Sequence, residues 1–213
     1  MRRFSSQWLN RHVNDPYVKG AYDNDLRSRS AFKFVEMNEK YRLVRPHDFV
    51  IDLGAAPGGW SLACSKVLVE EKGGYLVAVD LLPIEPIAPH CEIICGNFYS
   101  AAVRRQLKAL GGRKPDVVLS DMLMNTMGHR NTDHVRSIEL CHAALDFAVE
   151  NLIHGGIFLG KFLQGADEKE LRVAAENRFS KVKLVKPNAS RSESSEIYLL
   201  AMGMNLNKNT LKY

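Results

Sequence analysis

Seven short apolar runs, most of them rich in β-branched residues, recur along the chain, and a segment of helical periodicity separates nearly every one from the next. No other feature narrows the possible folds as much. The runs are DFVIDLG (48–54), YLVAVDL (75–81), CEIICGN (91–97), DVVLSDM (116–122), GIFLGKF (156–162), KVKLVKP (181–187) and EIYLLAM (196–202). Around them lie SAFKFVEMNEKYR (30–42), GWSLACSKVLVEE (59–71), SAAVRRQLKAL (100–110), DHVRSIELCHAALDFAVENLI (133–153) and DEKELRVAAENRF (167–179). Strands that are apolar almost throughout need cover on both faces, and alternation with helices provides it in a mostly parallel sheet. The last two runs have no helix between them. Their connection, PNASRSESS, is too short for a crossover, so the pair is expected as an antiparallel hairpin at one edge. The expected architecture is α/β: a doubly wound, mostly parallel seven-stranded sheet with helices on both faces. Ligands in such sheets collect at the carboxyl ends of the strands.

The chain has 213 residues, which suits a single domain, 1–213. No window approaches a membrane span, so no membrane partner is expected, and nothing calls for more than a monomer. The balance is basic, 29 Lys and Arg against 24 Asp and Glu. Much of the excess lies in residues 1–46, among them Arg2, Arg3, Arg11, Arg27, Arg29 and Lys33, with few acids before Glu36. A basic segment beside a globular body suggests a polyanion, most simply nucleic acid, against the plainer alternative of a solvated charged face. Cys64, Cys91, Cys95 and Cys141 form no CxxC pair and read as buried free thiols of a reducing compartment. His129 and His134 flank HRNTDH, but no third and fourth ligand is in view, so no metal site is assigned. The opening MRRFSSQWLNRH, with no acid before Asp15, is weakly similar to a mitochondrial targeting segment.

The first strand runs into Asp52-Leu53-Gly54-Ala55-Ala56-Pro57-Gly58-Gly59-Trp60 and then a helix. Small residues there permit a tight turn and close approach of a ligand to the backbone. The helix beyond presents free N–H groups. Asp80 ends the next strand, where an acid binds a ribose diol. A nicotinamide dinucleotide site shares these parts, but Ala56 stands at the second glycine of G-x-G-x-x-G and Pro57 follows it. The order D-x-G-x-A-x-G resembles the first motif of S-adenosylmethionine-dependent methyltransferases.

Lys161 lies inside GGIFLGKFLQG, an otherwise apolar strand, and a charge there needs a partner. Asp121, in VVLSDMLMN, ends the preceding strand at the same edge and can answer it, whether in a site or as an ion pair of packing alone. Lys33 and Glu196 fall at that edge too. In order and context Lys33, Asp121, Lys161 and Glu196 resemble the K-D-K-E tetrad of the FtsJ/RrmJ family of ribosomal RNA 2′-O-ribose methyltransferases. The likeness runs from SSQWLNRHVNDPYV through LRSRSAFK, DLGAAPGGW, VDLLPIEPI, SDM and GGIFLGKFLQG to KPNASRSESSEIYLLA. DHVRSIELC and the last stretch look most like the mitochondrial members.

The resemblance implies a Rossmann-like methyltransferase fold and S-adenosyl-L-methionine as cofactor. It implies cofactor contacts at Asp52, Gly54, Ala56, Pro57, Gly58, Gly59, Trp60, Asp80, Leu81, Asn97, Phe98 and Asp121. The target it implies is a uridine of large-subunit rRNA, in an assembling subunit, in mitochondria or, for a bacterial member, in the cytoplasm. Arg2, Arg3, Arg11, Arg27, Arg29 and Lys33 would meet RNA phosphates. A neutral Lys161 amine would take the ribose proton, which requires burial and a second cation to depress its pKa. Two positions depart from the family pattern. Asn97 replaces an aspartate that faces the adenine amine, and Leu123-Met124 replace Ala-Pro after Asp121. Rival readings keep the tetrad but act on tRNA or mRNA caps, keep the fold as a non-catalytic assembly factor, or bind a nicotinamide cofactor.

Overall fold

A computed structural model describes residues 27–124, 127–191 and 194–206. Arg2, Arg3 and Arg11 lie outside them. The described elements are α1 (Ser30–Tyr41), β1 (Phe49–Leu53), α2 (Gly59–Ser65), β2 (Tyr75–Asp80), β3 (Cys91–Cys95), α3 (Ala101–Ala109), β4 (Val117–Ser120), α4 (Arg130–Asn151), β5 (Ile157–Leu163), α5 (Glu168–Glu176), β6 (Phe179–Val185) and β7 (Glu196–Met204). The strands form one seven-stranded sheet in the order β3-β2-β1-β4-β5-β7-β6. The first five are parallel, and β7 is antiparallel to both of its neighbours.

Alternate residues of β1 face opposite layers, as the pleat requires. Phe49, Ile51 and Leu53 join a core with Leu107 of α3, Phe147 of α4 and Leu171 of α5. Val50 joins the other, with Phe34 and Met37 of α1 and Trp60 of α2. Both faces are therefore covered, which is why the central strands read as unbroken apolar runs. The expected hairpin is present, but its second strand lies inside the sheet. Strand β7 pairs with β5, and β6 takes the edge, where Lys181 and Lys183 discourage further pairing. Loop length limited the connection to a turn but carried no information about which strand would pair inward.

Helix α2 stops at Ser65, short of the expected 71. The chain turns because the Val69 N–H donates to Pro46 O, after which Glu70–Lys72 form a 3-10 turn. Gly74 then passes so close that a Cβ would lie 2.5 Å from Pro46 O, a contact only glycine tolerates. Among the described residues no helix is long and apolar enough to cross a membrane.

Candidate active site

Strand order reverses between β1 and β4, and the segments leaving them meet at the carboxyl edge. The Asp121 N–H donates to Leu53 O at 3.0 Å. Gly54, at φ +74°, lies against residue 122 so closely that a Cβ would be 2.8 Å from the Met122 Cα. Gly54 and Ala55 donate to Val79 O, and the Ala56 N–H donates to Asp80 Oδ2 at 2.9 Å. Asp80 Oδ1 accepts from the Leu82 N–H at 2.9 Å, so the carboxylate is fixed by backbone on both sides. Leu81 and Leu82, 68% and 63% exposed, leave an apolar surface beside it suited to a nucleobase.

Asp52 occupies the interior behind this loop and has no exposed surface. Its Oδ2 accepts from the Ser61 hydroxyl at 2.6 Å, which ties β1 to the first turn of α2, while Oδ1 has no partner. Burial pushes this carboxyl up to about 7; the Ser61 hydrogen bond opposes that, and the Asp121 and Asp80 charges add to it. A site that holds three carboxylates close enough to repel one another suits a ligand with cationic groups and disfavours a pyrophosphate. S-adenosylmethionine, with its sulfonium and ammonium, fits these residues.

The raised Asp52 value has a definite sign. The native state binds more protons than the unfolded chain above pH 3.8, so stability from Asp52 is complete below that value and is lost as pH rises through about 7. Asp52→Asn is expected to flatten that fall, and calorimetric unfolding between pH 4 and 8 checks it. An unchanged slope would remove Asp52 as its source.

Four charged side chains meet a few ångströms from the loop. Lys161, 6% exposed on β5, donates to the backbone carbonyl of Asp121 at 2.8 Å. Its Nζ also stands 2.9 Å from Asp121 Oδ1, an ion pair off the direction of a hydrogen bond. Lys33, buried on α1, forms an ion pair with Glu196. Glu196 reaches this edge because β7 runs antiparallel, which sets its first residue opposite Leu163 at the carboxyl end of β5. Burial raises the Glu196 carboxyl, but Lys33, Lys161 and the Ser194 hydroxyl together outweigh it, and the group lies below the ordinary carboxylate value.

Several residues expected at the ligand have partners within the chain. Trp60 is 2% exposed; its indole donates to Ser30 O at 2.9 Å, and its ring lies 5.5 Å from Phe34 and 5.7 Å from Tyr198. Gly59 packs against Ser28, where the chain enters α1; a Cβ there would require the Ser28 hydroxyl to move. Gly58 is buried beneath Arg27, and only Pro57 of this loop is exposed. The Phe98 ring is buried, with Phe147 on one side and the Arg104 guanidinium over it. Asn97 is exposed and its Oδ1 accepts from the Tyr99 N–H at 2.9 Å. Arg27 donates to Glu85 O and Pro86 O, and Arg29 to Ala189 O. Cys95 is exposed and Cys91 half-buried, so the four thiols are not all interior.

Sequence reasoning missed two supports of Lys161. Tyr198 is its direct cross-strand partner and is fully buried, and burial with the Asp121 and Glu196 charges keeps its phenol protonated. The second is His134, noticed only as a metal candidate. Strand β4 ends at Ser120 opposite Gly160, so the last residues of β5 have no partner strand on that side. Ser137 Oγ accepts the Leu163 N–H at 3.0 Å, and His134 Nδ1 donates to Leu163 O at 2.6 Å. His134 Nε2 lies 3.1 Å from the Asp167 backbone N and 3.3 Å from the Asp167 carboxylate. His134→Ala leaves the buried Leu163 carbonyl unpaired, at about 1–3 kcal/mol, and removes a partner of the half-buried Asp167 N–H. Its expected result is a lower unfolding midpoint with a roughly tenfold lower turnover from a misaligned β5, by analogy with small displacements of catalytic groups. Unchanged turnover in the folded variant would leave His134 a purely structural residue.

A doubly wound sheet whose switch point brings a glycine-rich loop together with the Asp52, Asp80 and Asp121 carboxylates and a buried lysine is the architecture of a Rossmann-like methyltransferase. Comparison with known proteins narrows this. A model of the FtsJ-like methyltransferase family matches residues 26–204, and the chain belongs to that family. It is 46% identical over 197 residues to the ribosomal RNA large subunit methyltransferase E of Gluconobacter oxydans, covering 92% of this chain and 72% of that protein. It is 45% identical over 202 residues to the Rickettsia bellii protein of the same name, covering 93% and 88%. Among solved structures, a ribosomal RNA methyltransferase of Plasmodium falciparum superposes with a TM-score of 0.72 at 26% identity, over 84% of this chain and 98% of that one.

Proposed function

We propose that this chain transfers a methyl group from S-adenosyl-L-methionine to the ribose 2′-hydroxyl of a uridine in large-subunit ribosomal RNA. The observation that carries the reading is Lys161, a buried amine held against Asp121 beside the Lys33–Glu196 pair, at the edge where the cofactor loop ends. Relatives named for large-subunit ribosomal RNA support the substrate. A 2′-hydroxyl target requires RNA.

When bound, the cofactor supplies a methyl group activated by its sulfonium; Asp80 would hold its ribose, Leu81 and Asn97 its adenine, and the Asp52, Asp80 and Asp121 charges its cationic groups. The chain's own residues supply the rest. A neutral Lys161 amine that donates to the Asp121 carbonyl and toward Oδ1 still has one lone pair, and this accepts the proton leaving the 2′-hydroxyl. Asp121 and Glu196 stabilise the ammonium that forms. Lys33 keeps Glu196 ionised for that purpose. Positioning the hydroxyl lowers the barrier further.

The same proposal takes 1–213 as one monomeric catalytic domain whose basic first 46 residues contact RNA. The acid-free opening before Asp15 supports a mitochondrial setting, while the relatives named above are bacterial and support the cytoplasm of a bacterium; fractionation of the source cells separates the two. Substrate profiling tests the reaction. Methyl transfer is expected to large-subunit rRNA, most readily in a pre-ribosomal particle, and equal or faster transfer to tRNA or capped mRNA would replace the proposed substrate.

A further inference from the structure

Beside the tetrad a cleft of about 450 Å³ lies between α1 and the loop joining β6 to β7, lined by Arg29, Ser30, Lys33, Arg191, Ser194 and Glu196. Three of these are cations and one is an anion. Lys33 is engaged with Glu196, and the other two cations are arginines. Guanidinium is the side chain whose planar fork of donors matches phosphate oxygens.

The cleft walls are fixed in advance. Glu36 of α1 accepts from the Asn188 N–H, the Asn188 side-chain amide and the Ala189 N–H, at 2.9, 2.9 and 3.0 Å. From the start of α1 Arg29 donates to Ala189 O at 2.8 Å. Four hydrogen bonds thus latch the loop to the helix, and Arg191 projects from the latched segment. At the inner end Ser194 Oγ donates to Glu196 Oε2 at 3.2 Å, so the cleft opens directly onto the tetrad.

The chemistry of RNA says what belongs there. In a polyribonucleotide the carbon bearing the 2′-hydroxyl is bonded to the carbon bearing the 3′-phosphodiester. A ribose that presents its 2′-oxygen to Lys161 therefore carries an anion only a few ångströms away, whereas its 5′-phosphodiester lies across the sugar ring. We propose that this cleft seats the phosphodiester on the 3′ side of the methylated nucleotide, with Arg191 and Arg29 as its ligands. The proposal rests on the ribose 2′-O reading above and adds a requirement: the substrate is an internal nucleotide with a charged 3′ linkage, not a terminal nucleoside.

A double-mutant cycle between protein and RNA tests it. Arg191 is exposed, so Arg191→Ala preserves the fold and serves as the protein arm. RNAs with one neutral methylphosphonate, 3′ or 5′ of the target, supply the other arm, and binding is read in the full chain saturated with cofactor. Arg191→Ala is expected to weaken binding of unmodified RNA about tenfold, the scale of one charge-assisted hydrogen bond. It should also lower the salt slope by about one, with cofactor affinity unchanged. The 3′ methylphosphonate should weaken wild type similarly and Arg191→Ala no further, while the 5′ one adds fully to the mutation. Additive effects at the 3′ linkage, or coupling to the 5′ linkage instead, would overturn the assignment. Methyl transfer by wild type to the unmodified RNA is scored separately. Its loss with the 3′ coupling intact would refute the reaction and leave the phosphate seat standing.

Discussion

Lys161→Ala is expected to lower the single-turnover rate of methyl transfer by about 10²–10⁴-fold, the range over which general-base catalysis acts. The expectation follows from placement. Lys161 is a buried amine, 2.8 Å from the Asp121 carbonyl and 2.9 Å from its carboxylate, so no solvent base replaces it readily. Removing it leaves the Asp121 carboxylate without its partner in a region already crowded with Asp52 and Asp80, and breaking such a buried pair costs about 3–5 kcal/mol. Saturating cofactor offsets part of that loss by mass action. Lys161→Met keeps most of the volume and isolates the loss of the amine. Cofactor affinity of the folded variants should stay near wild type, because the loop, Asp80 and Leu81 do not depend on Lys161. Near-wild-type transfer by either variant would remove Lys161 from the mechanism.

Trp60→Ala is expected to cost about 3–5 kcal/mol of stability, the usual cost of deleting a fully packed aromatic side chain. Trp60 is enclosed by Phe34 of α1 and Tyr198 of β7, and its indole N–H holds the Ser30 carbonyl at the start of α1. The residue thus supports both the helix that carries Lys33 and the phenol behind Lys161. Trp60→Phe keeps most of the packing and should cost only about 1 kcal/mol, for the lost hydrogen bond. Thermal unfolding and cofactor titration together separate two roles. A supporting Trp60 loses stability in both variants with cofactor affinity per folded molecule retained. Weak cofactor binding by a stable Trp60→Phe protein would restore the direct contact that the motif resemblance implies.

The contrast between Lys161 and Trp60 shows what a sequence exposes. A lysine in an apolar strand is an energetic anomaly, visible without coordinates, and its strand position fixes its edge. Asp121 and the loop after β1 were legible because each sits where a strand of definite period ends, whereas Glu196, which opens β7, is unremarkable alone and stood out only with the family resemblance. An aromatic residue after a glycine loop carries no such mark. Whether Trp60 faces ligand or core depends on how α1 packs across α2, a contact between segments 30 residues apart. Phe98 is similar, since its burial depends on Phe147 of α4. His134 was legible as an oddity but not as a support, because its task arises only where β4 stops short of β5. The hairpin of β6 and β7 at one edge was legible, but which of its strands pairs with β5 was not, since pairing partners follow from tertiary burial.

The central claim is that Lys161 deprotonates a ribose 2′-hydroxyl. The most direct test transfers a labelled methyl group from S-adenosylmethionine to large-subunit RNA in a single turnover and then digests the RNA with alkali. A 2′-O-methyl group blocks cleavage at its own linkage, so the label should appear in an alkali-resistant dinucleotide that begins with uridine, and Lys161→Met should slow formation of that product by about 10²–10⁴-fold. Label released in ordinary mononucleotides, as from a methylated base, would contradict the account.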